Sequence, residues 1–291
     1  MPQMSLVPFW EVTALNNIFA SLGVYFSYKF VIFAFVVGVL VSLCASLLGV
    51  TLVLRRCSMI GDGLSHVAFG ALAISAVLGA SPLAFSLPIV VISAILLLRI
   101  SENSKIGGDA AIAMISSASV AIGVIAISLT TGMNSDVNSY MFGSLTAMEE
   151  SDIYLAIALS VFVLIFYVFF YNRIFAFTFD EDFAKAAGLR TELYKTVTAI
   201  ITAITIAIGM RVIGAMLISA LIIFPALGAM RVFRSFKAVS ICAALLAVIS
   251  ASLGICASCL WALPTGAAIV AFNAISFLLC SLAGGIIRYG R

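Results

Sequence analysis

The chain has 291 residues, of which 64% are hydrophobic and only 9% are charged, and its mean hydropathy is +1.26. A soluble domain keeps about a quarter of its residues charged, so this composition excludes an ordinary soluble protein and indicates a lipid bilayer as solvent. The net charge of +3 is small and spread over short loops, which gives no sign of nucleic-acid binding.

The N-terminal segment precedes the first apolar stretch. Its first residues, about 25 in number, predict a short interfacial helix that leads into the membrane, with a loose tail as the alternative. The segment carries Glu11, no basic start and no apolar core followed by a small-residue cleavage site. We therefore do not expect a cleavable signal peptide.

Nine apolar stretches follow, each near the roughly 20 residues that a helix needs to cross the hydrocarbon core. They cover residues 30–54, 59–79, 84–100, 110–130, 152–172, 195–209, 213–231, 237–259 and 265–287. The sixth and seventh are short and nearly continuous, so the sequence predicts eight or nine spans. We expect an all-α, polytopic membrane bundle that forms one domain over residues 1–291, with a membrane core at 28–287.

The placement of basic residues predicts the orientation, because they concentrate in cytoplasmic loops. With nine alternating spans and the loop 173–194 inside, 13 of the 15 Lys and Arg residues fall at inner ends of spans. Only Lys29 and Arg211 fall outside. This predicts an outer N-terminus and an inner C-terminus. If the sixth and seventh stretches form one bent span instead, the predicted orientation of the N-terminal half is reversed.

The start of the second stretch contains Asp62 and the only histidine, His66. Four residues apart on a helix, the two side chains share one face. Ionisable groups within a span are costly and usually face the bundle interior or a wet cavity, so the pair indicates a pathway site more than a packing contact. By helical rise, Asp62 lies about 9 Å from the inner surface marked by Arg55 and Arg56.

An imidazole and a carboxylate are a ligand set suited to Zn²⁺, Mn²⁺ or Fe²⁺. Two ligands do not close a coordination shell, so a second copy of the chain, water or another span must complete it. An incomplete site suits permeation, because binding must be weak enough for release. A proton relay could use the same two residues.

The outer loop 131–150 and the adjoining Ser-Asp carry acids and no basic residue: Asp136, Glu149, Glu150 and Asp152. The favoured interpretation is a solvated outer loop that lacks basic residues only because outer loops generally do. A weak cation collector, or a docking face for a delivery protein, is the alternative.

The inner loop 173–194 contains the run DEDFAKAAGL, which predicts a short helix. Asp180 is a good N-cap, Glu181 and Asp182 suit the positive helix end, and Gly188 can take the left-handed C-terminal position. The segment is rich in alanine yet presents Phe183 and Leu189 as apolar knobs. We therefore interpret it as a docking element for a cytoplasmic partner rather than an ordinary surface helix.

Several other polar features favour structural roles. Thr198, Thr202 and Thr205 form a stripe at helical spacing that is typical of hydroxyls bonded to their own helix backbone. The six cysteines lie in or beside apolar runs and indicate no disulfide, and the pair Cys256 and Cys259 is read as packing rather than metal or redox chemistry. Pro225 should bend its helix. Arg211 marks a turn or a headgroup anchor.

The run LRRCSMIGDGLSHVAFGALAI at residues 54–74 resembles the signature of the membrane subunits of metal-ion ABC importers. These are the family-3 permeases for zinc, manganese or iron(II), whose pattern is close to L-R-R-x-S-x-I/L-G-D-A-L/I-S-H-A. Four later runs resemble further family segments in order and spacing: NSYMFGSL, FDEDFAKAAGL, MRVIGAMLISALIIFPALGAMR and LPTGAAIV. The resemblance covers essentially residues 28–287.

The resemblance implies a helical permease of the vitamin-B12-importer type. Such a permease would work as a homodimer on two copies of a separate ATPase that binds ATP, fed by an extracellular metal-binding protein. Asp62 and His66 fall on the residues that line the family's translocation path. The segment 180–189 falls on its ATPase-coupling helix, so the implied coupling residues are Asp180, Glu181, Phe183, Ala184, Ala187 and Gly188.

Two departures from the family pattern bear on metal choice: Gly63 replaces the usual Ala, and Ser144 replaces an Asp or Asn. The leading hypothesis is an ATP-driven importer subunit, zinc first, with manganese or iron(II) as alternatives. It carries the transported metal as substrate and needs no resident cofactor. No Walker phosphate loop occurs in the sequence, so a partner must supply the energy. A proton-coupled secondary transporter is the second hypothesis, and a membrane enzyme ranks last.

Overall fold

The computed structural model describes residues 23–103, 108–129, 143, 150–215 and 217–289, and within these ranges the chain forms helices and no strand. We number the helices in chain order. They are α1 (Lys29–Leu54), α2 (Ser58–Leu78), α3 (Pro82–Asn103), α4 (Gly108–Ser128), α5 (Glu150–Phe169), α6 (Tyr171–Phe179), α7 (Glu181–Ala186), α8 (Thr191–Ile213), α9 (Ile218–Val232), α10 (Phe236–Trp261) and α11 (Thr265–Tyr289).

The predicted all-α, multi-span architecture is confirmed. Seven of the described helices are long and apolar enough to cross a membrane, namely α1, α2, α3, α4, α8, α10 and α11. An eighth span is possible if α5 and α6 count together, although the pair is bent by 68°. The seventh predicted stretch corresponds to α9, whose 15 residues are short for a full crossing.

The sixth predicted stretch was placed too short. Its helix, α8, has 23 residues and begins at Thr191, four residues before the apolar run. The first turn is polar, and Lys195 Nζ donates a hydrogen bond to Glu192 Oε1 at 3.1 Å. A polar turn that is paired in this way folds as helix although its composition resembles a loop.

The end of α1 and the starts of α7, α8 and α10 meet at one end of the bundle, which we call the basic end because of Arg55, Lys195 and Lys237. Glu181 at the start of α7 contacts both Arg55, after α1, and Lys195, near the start of α8. The ring of Phe179, at the end of α6, lies 6.0 Å from that of Phe236, at the start of α10. The predicted orientation places these ends together on the inner side, and that side stays a prediction.

Small residues let the helix backbones approach closely. A Cβ atom at Gly70 of α2 would lie 2.7 Å from the Ser119 carbonyl oxygen of α4, and one at Gly254 of α10 would lie 2.5 Å from the Ile269 Cα of α11. Such contacts are typical of helix packing in lipid. The first of these contacts helps to enclose α2, which also contacts α3, α8 and α9. In its most apolar 18-residue stretch 72% of the residues are buried, the largest share among the candidate spans.

Some predictions concern residues outside the described ranges. They include most of the predicted interfacial helix, most of the outer loop 131–150 with Asp136 and Glu149, and Ser144. The six cysteines are free thiols in the structure.

Candidate metal site and coupling segment

Asp62 and His66 lie on the second and third turns of α2 and share one face of it. The distance from His66 Nε2 to Asp62 Oδ2 is 3.6 Å, longer than a firm hydrogen bond. The His66 side chain is 22% exposed and that of Asp62 38% exposed. The pair therefore keeps oxygen and nitrogen lone pairs open on an accessible face of the protomer.

One glycine lies on each side of Asp62 in the sequence, and both pack against neighbouring helices. A Cβ atom at Gly61 would lie 3.1 Å from the Ile222 side chain of α9, and one at Gly63 would lie 2.7 Å from the Ile112 side chain of α4. Both glycines are buried, so α2 is held between α9 and α4 by its smallest residues. Asp62, which lies between them in the sequence, is left on the accessible side.

Two further residues border the pair and were not identified from the sequence. The Ser219 hydroxyl, at the start of α9, lies near the Asp62 carboxylate and interacts with it. Met59, three residues before Asp62 on the same helix, is 41% exposed. The spacing of Met59 could have placed it on this face. Ser219 gave no local signal, because its position depends on the packing of α9.

The pair alone is not a complete metal centre. In the part of the chain that the structure describes, no three His, Cys, Asp or Glu side chains are close enough together to hold a metal ion. Structural zinc sites are almost always four-coordinate. Asp62 and His66 can therefore bind a metal only together with water or groups from outside the described protomer, which suits transient binding.

A small cavity at the basic end is a poor alternative route for a cation. It lies between α1, α2, α3 and α8, and its lining includes the cationic residues Arg55 and Lys195 but no carboxylate. Positive charge at its wall repels a metal ion. The accessible face of Asp62 and His66 is the more favourable environment.

The segment 180–189, which we call the coupling segment after its expected role, forms the predicted helix. Asp180 Oδ1 accepts a hydrogen bond from the Phe183 backbone N–H at 2.9 Å, and Gly188 has a φ of +84°. The predicted N-cap and left-handed C-terminal residue are thus confirmed. Phe183 is 70% exposed, whereas Ala184 is buried at 1% and seats the helix on the bundle. Ala187 and Gly188 are exposed.

The interpretation of Leu189 as an exposed knob was wrong. Leu189 is partly buried and packs against the apolar cluster at the basic end that contains Ile174, Phe177 and Ala184. The left-handed turn at Gly188 redirects the chain, so the residue after it points back to the bundle. Phe183 is the apolar residue that the segment presents outward.

Glu181 ties the coupling segment to the rest of the molecule. Its Oε1 lies 2.6 Å from Lys195 Nζ and 2.7 Å from Lys185 Nζ, and its Oε2 lies 3.4 Å from Arg55 Nη2. Burial alone would raise the pKa of the Glu181 carboxyl, but the bonds to Lys185 and Lys195 more than offset this and hold that pKa below its usual range. Arg55 and Lys195 were not predicted as partners, since they are distant in sequence.

The threonine stripe has the predicted structural role. The hydroxyls of Thr198, Thr202 and Thr205 donate to backbone carbonyl oxygens four residues earlier, at 2.7, 2.8 and 2.9 Å. All three side chains are buried. Each hydroxyl proton is bonded within α8, as the structural interpretation predicts.

A family model described as the ABC 3 transport family matches residues 27–284. The manganese transport system membrane protein MntC of Halalkalibacterium halodurans is 26% identical over 269 residues, which cover 91% of this chain and 92% of that protein. The high-affinity zinc uptake system membrane protein ZnuB of Haemophilus influenzae is 28% identical over 247 residues, 84% of this chain and 94% of that protein.

Among solved structures, PsaBC from Streptococcus pneumoniae in complex with a Fab matches this fold. The TM-score is 0.81 at 25% sequence identity, over 92% of this chain and 95% of that chain.

Proposed function

This chain belongs to the ABC 3 transport family, and we propose that it forms the translocation pathway of an importer for a divalent metal ion, zinc first. As a family member it is a membrane-spanning permease subunit of a metal ABC transporter and not an enzyme. The observation that carries the finer proposal is the Asp62–His66 pair, held together on an accessible face of the most enclosed span.

The pair can bind and release a cation. The carboxylate supplies charge and the imidazole supplies nitrogen, a combination suited to zinc, manganese or iron(II). Because the described protomer supplies no third ligand of these types nearby, binding stays weak enough for onward movement. The Ser219 hydroxyl contacts Asp62 and helps to keep its carboxylate oriented toward the path.

The incomplete shell supports a homodimer. Two-fold dimers are the commonest assemblies of identical soluble chains, and in them the same patch faces itself. If the accessible face of α2 lies at such an axis, a second Asp62 and a second His66 complete the ligand set. The metal is then held between two copies of this chain rather than within one.

The energy for transport comes from a partner ATPase. The sequence has no phosphate-binding loop, and family membership implies ATPase and substrate-binding partners. We assign the ATPase contact to the coupling segment 180–189, where the exposed Phe183 is the apolar anchor. An extracellular metal-binding protein delivers the ion on the other side.

Zinc is placed first because it binds most nitrogen and oxygen sites more tightly than manganese or iron(II). Manganese is the second candidate, since one relative is named for manganese and another for zinc. Family membership argues against the proton-coupled secondary transporter.

Uptake into proteoliposomes that contain the permease, its ATPase and the delivery protein tests the proposal. Loss of even an outer partner of a metal ligand costs about 10–100-fold in affinity, so Asp62→Asn and His66→Gln should each lower ATP-dependent zinc uptake by at least about tenfold. Asp109→Asn, an exposed acid in the first turn of α4, is the matched control. Wild-type uptake in both site variants would reject the pathway role.

A further inference from the structure

The contact between Glu181 and Arg55 joins the coupling segment to the start of the site helix. Arg55 follows α1 directly, and α2 begins only three residues later, at Ser58. Asp62 is one turn further on. The side chain that reaches α7 therefore stands immediately before the helix that carries the proposed metal ligands.

The turn between α1 and α2 has little freedom to absorb a movement. The backbone N–H groups of Arg55, Arg56 and Cys57 all donate to carbonyl oxygens of α1. Arg56 has a φ of +58°, a left-handed conformation that is unfavourable for a residue with a side chain. A short turn bonded in this way passes a displacement on to α2 rather than flexing.

The Arg55 side chain is itself held from two sides. Its guanidinium lies 5.4 Å from the centre of the Phe177 ring of α6, and it is only 16% exposed. On the other side its Nη2 is 3.4 Å from Glu181 Oε2. An ion pair and a cation–π contact that are partly shielded from water are stronger than fully exposed ones.

We propose that Arg55 is a positioning residue that transmits the movement of α7 to α2. When α7 is displaced by its partner, the Glu181 carboxylate moves the Arg55 guanidinium, and the rigid turn shifts the first turns of α2 with Asp62 and His66. This inference rests on the proposed function, because it needs an ATPase at α7 and a metal at α2. It adds the route by which movement of the ATPase at α7 reaches the metal ligands of α2.

The route through Arg55 differs from the direct chain connection of α7 to α8. α7 is also linked to α8 by the side chain of Glu181, which bonds Lys195 of α8. A change at Glu181 alone would therefore disturb both the link to α8 and the link through Arg55 to α2. A change at Arg55 leaves the bond between Glu181 and Lys195 in place. It removes the link from Glu181 to the turn before α2, together with the contact of Arg55 with the Phe177 ring.

The test compares Arg55→Gln with Arg56→Gln in the reconstituted complex with ATPase and delivery protein. Both variants remove one arginine charge from the same turn, but only Arg55 pairs with Glu181 in the structure. The measured quantity is zinc imported per ATP hydrolysed, which inactive molecules do not change. Arg55→Gln should lower this ratio by about fivefold or more, the lower range of coupling between sites, whereas Arg56→Gln should stay within about twofold.

Two further variants separate positioning from folding. Arg55→Lys keeps the charge and should recover part of the lost ratio. Arg55→Gln combined with Glu181→Gln should be no worse than the more damaging single variant, because the two residues act as one unit.

An unchanged ratio in Arg55→Gln, or an equal loss in Arg56→Gln, overturns the inference while leaving the proposed function intact. Failure of the wild-type complex to import metal with ATP would instead overturn the proposed function.

Discussion

Gly49 of α1 lies so close to Ile222 of α9 that a Cβ atom on residue 49 would stand 2.0 Å from the Ile222 carbonyl oxygen. The Ile222 side chain also reaches α2, 3.1 Å from the position of a Cβ on Gly61. One residue of the short helix α9 is therefore fixed against two spans. This contact sets the position of Ser219, which lies one turn earlier and faces Asp62.

Replacing Gly49 with alanine should destabilise the bundle. The new methyl group meets backbone, which cannot rotate away, so α1 and α9 must separate. Overpacking of this kind costs about 1–3 kcal/mol, and we expect a lower midpoint of thermal unfolding in detergent. Gly285→Ala on α11 is the control, since nothing lies within 4 Å of its added Cβ. An equal midpoint for both variants would contradict the close contact.

Gly63→Ala restores the alanine of the family pattern and should nevertheless destabilise this chain. Its Cβ would lie 2.7 Å from Ile112 Cγ2, a buried side chain of α4 with little room to move. Ile112→Ala removes that methyl group. We expect the double variant to be more stable than the sum of the two single effects predicts, by about 0.5–3 kcal/mol. Thermal unfolding of the four proteins measures this, and additive effects would show that the contact is not limiting.

The local features of the fold and site could be predicted from the sequence, and the long-range ones could not. Apolar runs predicted the spans, the spacing of Asp62 and His66 predicted a shared face, and Asp180 with Gly188 predicted both ends of α7. These signals depend on neighbours within one or two turns. The contact of Ser219 with Asp62 depends instead on how separate helices pack.

The Glu181 contacts show the same limit at the basic end. The acid was identified as favourable for the helix dipole, yet its partners Arg55 and Lys195 come from two other parts of the chain. The charge of Glu181 alone could not identify which of the basic residues at the inner span ends would pair with it. Leu189 was misplaced for the same reason, since its burial depends on the apolar cluster beneath α7.

Removing the hydroxyls of the α8 threonine stripe should leave transport unchanged. Each hydroxyl donates to its own helix backbone, and valine keeps the branched shape without that bond. We expect the triple variant Thr198→Val, Thr202→Val and Thr205→Val to import zinc at the wild-type rate within about twofold. A loss comparable to that of Asp62→Asn would show that the stripe lines the path after all.

The ion pairs of Glu181 should stabilise the protein in a pH-dependent manner. The folded state holds the pKa of this carboxyl below the reference value of 4.5. Its contribution is therefore fully present above pH 4.5 and is lost as the pH falls through the lower folded-state pKa. Glu181→Gln should lower stability by about 1–2 kcal/mol at pH 7, and the difference from wild type should shrink on acidification. Unfolding midpoints at several pH values measure this, and a difference independent of pH would contradict it.

Met59 should influence which metal is carried. It is exposed one turn before Asp62 on the same face, and its thioether is a softer ligand than the carboxylate. Soft sulfur ligands favour zinc over manganese, which prefers oxygen. Met59→Leu keeps the size of the side chain and removes the sulfur, so we expect the ratio of zinc to manganese uptake to fall by about threefold or more.

The control for this change is Met114→Leu on α4, where the methionine is 70% exposed and has no ionisable residue one turn away on its own helix. Competition between the two metals in the same proteoliposomes measures the ratio directly, so differences in protein yield cancel. If the ratio is unchanged in Met59→Leu, or falls equally in both variants, the metal does not pass within reach of the sulfur. Selectivity would then rest with the delivery protein rather than with the inner part of the α2 face.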